Sequence, residues 1–86
     1  MPLRRAAVAG SWYSDEPTRL AADVDRYVAR ADVTPMATPV IAIIAPHAGL
    51  MYSGPVAAFS YKAATSSGCT AIVLVGPSHF VPFRGV

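Results

Sequence analysis

His47 and His79 are the two histidines of this 86-residue sequence, and each sits just past an uninterrupted apolar run. Val40-Ile41-Ala42-Ile43-Ile44-Ala45 leads into Pro46-His47-Ala48-Gly49. Thr70-Ala71-Ile72-Val73-Leu74-Val75 leads into Gly76-Pro77-Ser78-His79. Imidazole nitrogens ligate zinc, copper, iron and nickel, so two of them brought to one place are the beginning of a metal centre. The small residues around them leave the rings room and let backbone approach a ligand. A lone histidine in apolar surroundings is more often a structural hydrogen-bonding group, but two in corresponding positions favour a shared role. Two ligands do not complete a centre: a catalytic zinc takes three from the protein, and a non-haem iron triad adds a carboxylate. The other donors are poorly placed. Asp15, Glu16, Asp23 and Asp25 belong to a helix and its start, and Cys69 precedes its apolar run instead of following it.

The elements that must position the histidines are the runs themselves. Continuous apolarity over residues 40–45 and 70–75, without alternation, predicts parallel strands buried on both faces. Residues 46–69 are long enough for the crossover that parallel neighbours require. Right-handed crossovers put both C-terminal ends on one sheet edge, where open α/β sheets hold their ligands. Adjacent strands lie about 5 Å apart, so both imidazoles would reach one small ligand. The expected fold class is therefore α/β, a βαβ core preceded by a loop and a helix, with residues 1–86 forming one partial domain. A two-stranded unit leaves an apolar edge unpaired, so self-association through that edge is expected unless a partner covers it.

Ahead of the core, Ser14-Asp15-Glu16-Pro17 predicts a helix start, with Ser14 or Asp15 as the cap and Pro17 in the first turn. Leu20, Val24, Tyr27 and Val28 then form one apolar stripe, and Arg19, Asp23, Asp25, Arg26 and Arg30 occupy the other faces. Residues 32–39, with Thr34-Pro35 and Thr38-Pro39, read as a linker. Ser53 and Pro55 predict a second helix start, followed by an apolar helix over residues 56–65 suited to close packing. Trp12 and Tyr13, after Gly10-Ser11, either anchor the N-terminal loop by burial or line a pocket.

Composition narrows the function. Hydrophobic residues make up 53% and charged residues 14%. A chain this short buries only roughly 60% of its unfolded surface, so that much apolarity predicts a face that rests against something else. The net charge of +2, with no basic run, argues against nucleic-acid binding. No apolar run approaches the roughly 18 residues of a membrane span, and no secretory signal pattern is visible. A single cysteine, Cys69, fits a reducing, cytoplasmic setting.

Four motifs occur in order: Val8-Ala9-Gly10-Ser11-Trp12-Tyr13, Ile43-Ile44-Ala45-Pro46-His47-Ala48-Gly49, Tyr52-Ser53-Gly54-Pro55 and Gly76-Pro77-Ser78-His79. Through them the chain resembles the Memo-like family, whose prokaryotic members are also called the B component of the Amme–Memo–RadiSam set. That family resembles class III extradiol (non-haem iron) dioxygenases in fold. The resemblance implies that this chain corresponds to the N-terminal third of such a domain. It further implies that His47 and His79 are metal ligands, and that Tyr52, Trp12, Tyr13 and Ser78 belong to the pocket. The remaining ligand is implied to be a cysteine beyond Val86, which Cys69 does not match. Leu50 stands where an aromatic residue is common, altering the pocket wall, and Phe80 replaces a histidine, removing an outer donor. The implied function is a metal-binding, dioxygenase-like protein using iron, copper or zinc. A non-catalytic module that binds a protein or peptide through the same cleft is the alternative, and a remnant without activity is the third reading.

Overall fold

The computed structural model describes residues 2–85, and its regular elements are two helices, α1 (Pro17–Arg30) and α2 (Leu50–Thr65). α1 starts where the sequence predicts, but its cap is Glu16. A residue before proline is held out of the helical region, and Glu16 is extended, at φ −95° and ψ 116°. That conformation is what an N-cap needs. Its carboxylate accepts from the Thr18 N–H at 3.2 Å and the Arg19 N–H at 2.8 Å. These two bonds to the charged form hold the Glu16 carboxyl below its ordinary value. Ser14 supports the turn by accepting from the Glu16 N–H at 3.1 Å.

α2 starts earlier than its own sequence signals suggest. Ser53 is not its cap; the helix begins at Leu50, leaving Pro55 inside it. The cause is a non-local acceptor: the Leu50 N–H donates to the Trp12 carbonyl at 2.7 Å, which satisfies a first-turn donor without a capping side chain. Ser53 instead donates through Oγ to the Ala48 carbonyl at 2.9 Å.

The two helices pack on each other, and the centre of that contact is small. Ala31, Ala57, Ala58, Ser53 and Gly54 are buried, and no large side chain is fully so. Gly54 makes the close approach. A Cβ there would stand 2.9 Å from Tyr27 Cε2 and 3.0 Å from Leu50 Cδ1. Lys62 ties the far end, donating from Nζ to the Ala31 carbonyl at 2.6 Å. A cation on the carbonyl of the residue that caps the C-terminus of α1 also complements the helix dipole.

The predicted α/β core is not observed. Among the described residues there is no strand, and the one bridge, between Ala9 and Tyr13, lies in the N-terminal loop. Residues 40–45 and 70–75 are not parallel strands, and no backbone hydrogen bond joins them to each other. Apolar, β-branched residues favour extended backbone, but a strand exists only when a neighbour takes its N–H and C=O groups. Here no backbone neighbour does, the Ile44 carbonyl being met only by the Ser60 hydroxyl, and most of the side chains face solvent: Ile41 is 98% exposed and Val75 92%. Among the described residues there is thus no sheet to offer the edge on which self-association was expected. No helix among the described residues is long and apolar enough to cross a membrane.

Candidate functional site

His47 follows the first apolar run and stands just before α2; His79 ends the turn after the second run. Although the runs do not pair, the two imidazoles meet. Their Nε2 atoms are 3.2 Å apart, and the ring centroids are 5.4 Å apart with planes tilted by 39°. Both side chains are exposed, with open access from solvent. A contact of this length is a hydrogen bond when one Nε2 carries a proton and the other presents its lone pair. The same distance suits a shared ion. Two nitrogens at about 2.0–2.1 Å from a tetrahedral metal stand roughly 3.3–3.4 Å apart.

The donor set is a pair and not a cluster. Among the described residues no three of His, Cys, Asp and Glu are grouped to hold a metal ion, and Cys69 is exposed. Phe80 sets its ring edge toward His79 with centroids 6.3 Å apart, contributing contact but no donor. The Ser78 hydroxyl donates to the Val81 carbonyl at 2.6 Å, closing a turn that encloses His79.

Beside this pair, on the α1 side of the α2 N-terminus, lies an open cavity of about 660 Å³. Trp12, Tyr13 and Tyr52 line it, as three of the residues singled out in the sequence; His47, His79 and Ser78 do not. The N-terminal loop sets the aromatic pair. The Val8 carbonyl accepts from the Ser11 and Trp12 N–H groups at 3.2 and 3.0 Å, and the Gly10 N–H donates to the Tyr13 carbonyl at 2.7 Å. Gly10 has φ +86°, a conformation costly for other residues, so this turn depends on it. Trp12 is 47% exposed and Tyr52 76%, so their rings are available as walls.

Sequence reading missed the charged part of that wall. Asp15, Arg19, Asp23 and Tyr27 also line the cavity. Asp23 is paired with Arg26 at 3.1 Å, and the Arg26 guanidinium lies 5.2 Å from the Tyr27 ring centroid. The available signal was the spacing of Arg19, Asp23 and Arg26, which share a side of α1 at intervals of three and four. It reads equally well as a solvated face, and only the packing of α2 against α1 turns it toward a cavity.

The Memo-like protein family matches residues 4–86 of the chain. Among curated proteins, the chain is 42% identical over 82 residues to Protein MEMO1 of Danio rerio, covering 95% of this chain and 27% of that protein. Protein MEMO1 of Homo sapiens is 42% identical over 79 residues, covering 92% of this chain and 26% of the relative. MEMO1 family protein MHO1 of Saccharomyces cerevisiae is 34% identical over 85 residues, covering 98% and 25% respectively. The chain thus spans about a quarter of the length of these relatives. No solved structure matches it at a significant level.

Proposed function

Starting from the fact that the chain belongs to the Memo-like family, we propose that it supplies a two-histidine arm of a metal centre, with His47 and His79 each ligating through Nε2. The observation that carries this reading is the 3.2 Å separation of the two Nε2 atoms across an interval of 32 residues. Both nitrogens must present lone pairs to the ion, so each Nε2 would have to be free of its proton on binding. The donor set fits zinc, iron or copper. A bound ion of this kind supplies Lewis-acid or redox chemistry at its open positions. What this chain does is hold the two rings convergent: α2 and the Trp12–Leu50 backbone bond set the segment carrying His47, and the Ser78–Val81 turn sets His79. Further coordination positions go to solvent or to donors outside the described residues. A dioxygenase-like reaction is the activity this centre would serve in a complete protein of the family.

Metal content of the purified chain, beside a His47→Ala/His79→Ala double variant, tests the reading. Stoichiometric zinc, iron or copper in the parent and its loss in the variant are expected. Equal metal in both would sink the assignment.

The cavity favours a second role in the same protein. Exposed Trp12 and Tyr52 are the side-chain types that dominate contact energy at protein interfaces, and they line a concavity of ligand size. A peptide or protein partner seated there would lose affinity on Tyr52→Ala while His47→Ala left it intact. The converse pattern would place the binding energy at the histidine pair.

A further inference from the structure

The hydroxyls of α2 fall into two groups. At and just past its C-terminal end, Thr65, Ser66 and Ser67 each donate to the carbonyl three residues back, a local bond of the kind helical hydroxyls ordinarily make. Ser53 and Ser60 reach outside the helix instead. Ser53 Oγ is 2.9 Å from the Ala48 carbonyl and 3.4 Å from that of Gly49, four residues back. Ser60 Oγ donates to the Ile44 carbonyl at 3.1 Å, sixteen residues back. Ser53 is also the one buried polar side chain among the described residues. The two acceptors bracket His47, which lies between Ile44 and Ala48 in the chain. No backbone–backbone hydrogen bond involves residues 44–48 among the described residues, so these two hydroxyls make the hydrogen bonds that tie this stretch of backbone to α2.

We propose that Ser53 and Ser60 are positioning residues, which together seat the His47 imidazole against that of His79. Their bearing on metal binding rests on the two-histidine reading; the seating of the ring itself does not. The spacing of the two hydroxyls suits the task. A separation of seven residues puts Ser60 within about 20° of Ser53 around the helix and roughly 10.5 Å further along it. From Ile44 to Ala48 an extended chain reaches roughly 13–14 Å at most. A segment running antiparallel to α2 therefore meets both hydroxyls with a modest bend, and the chain does bend at Ala48. One hydroxyl alone would leave the segment free to pivot about a single carbonyl. Two fix its direction, and with it the point from which the His47 side chain starts. The demand is strict, because a tetrahedral ion takes both nitrogens only near the 3.2 Å separation observed. Ile44 and Ala48 are exposed, so water can replace either hydroxyl as donor. Loss of a serine thus costs orientation more than helix stability.

Two readouts on the purified chain test the proposal: the nuclear Overhauser contact between the His47 and His79 ring protons without metal, and zinc affinity by competition with a chromophoric chelator. Ser53→Ala and Ser60→Ala should each weaken the ring contact and lower zinc affinity by roughly tenfold, the lower end of the range for groups that orient metal ligands. Ser60→Thr keeps the hydroxyl and should restore both. Ser66→Ala removes a hydroxyl bonded within its own turn and should leave both at the parent's values. Should Ser53→Ala reduce helical circular dichroism, as a buried site allows, Ser60→Ala and Ser60→Thr decide the matter at a half-buried position. A parent that binds no zinc, with the ring contact still lost in Ser60→Ala and regained in Ser60→Thr, sinks the metal reading and upholds the positioning role. A parent without the ring contact, a Ser60→Ala variant equal to the parent in both readouts, or equal losses in Ser66→Ala overturns the proposal.

Discussion

The two apolar runs are more hydrophobic than the α1–α2 pair, whose first helix carries five charged residues, yet only the pair is closed. Within the helices most backbone groups find their partner four residues away, Pro55 being the exception in α2, and the ends are finished by Glu16, by the Trp12 carbonyl and by Lys62. The side chains then need only one neighbour, which the other helix supplies at Gly54 and Tyr27. Residues 40–45 and 70–75 have the stronger individual drive to leave water, with Ile41 and Ile44 almost fully exposed. They stay open because an extended segment cannot satisfy its own backbone. Apolarity alone does not close a structure; the location of the hydrogen-bond partners does.

Substitutions that break one region and spare the other separate these effects. The largest loss is expected at Gly54→Val, where the new side chain enters space already 2.9 Å from Tyr27 Cε2. Overpacking of this kind costs about 2–3 kcal/mol, read as a shift in the urea midpoint of helical circular dichroism. Next comes Lys62→Ala, which leaves the carbonyl of buried Ala31 without its charged donor; about 1–2 kcal/mol should be lost by the same measurement.

Glu16→Ala should cost less, because the carboxylate is at the surface. Its effect is distinguished by pH. The Glu16 carboxyl lies below its ordinary value of 4.5 in the folded chain, chiefly through the Arg19 and then the Thr18 N–H. Its contribution is therefore complete above that ordinary value and is lost as the pH falls through the lowered one. Melting curves of parent and variant should converge in acid and separate toward neutrality, and a gap independent of pH would remove the carboxylate from the cap. Smallest of all is Val73→Ala, at a side chain 88% exposed. Helix stability should change by less than about 0.5 kcal/mol, measured at a concentration where the chain is monomeric. A larger change would show that the run packs on the helices after all, and the contrast between the two regions would fail.

The parts of the fold legible in the sequence are those whose causes lie within a few residues. Pro17 marks the first turn of α1, and Leu20, Tyr27 and Val28 turn inward from its stripe to half-burial, while Val24 remains exposed. The start of α2 was not legible, because the acceptor that moves it from Ser53 to Leu50 is the carbonyl of Trp12, far back in the chain. The histidine pair is an instructive mixture. Sequence reading brings His47 and His79 together by way of a sheet edge; they do meet, but without that sheet. Cavity and aromatic residues agree for Trp12, Tyr13 and Tyr52, whereas Asp15 and Tyr27 enter the site only through helix packing.

By itself, then, the sequence determined the first helix, the composition of the second, the two imidazoles and the motifs that place the chain in its family. Tertiary structure decided where α2 begins, how closely Gly54 lets the helices approach, and that the apolar runs remain unpaired. The physical reason is range. Proline geometry, capping carboxylates and helical periodicity act over a single turn, whereas the partner of an extended backbone, or of a Cβ-free contact, is chosen by whatever the rest of the chain brings beside it.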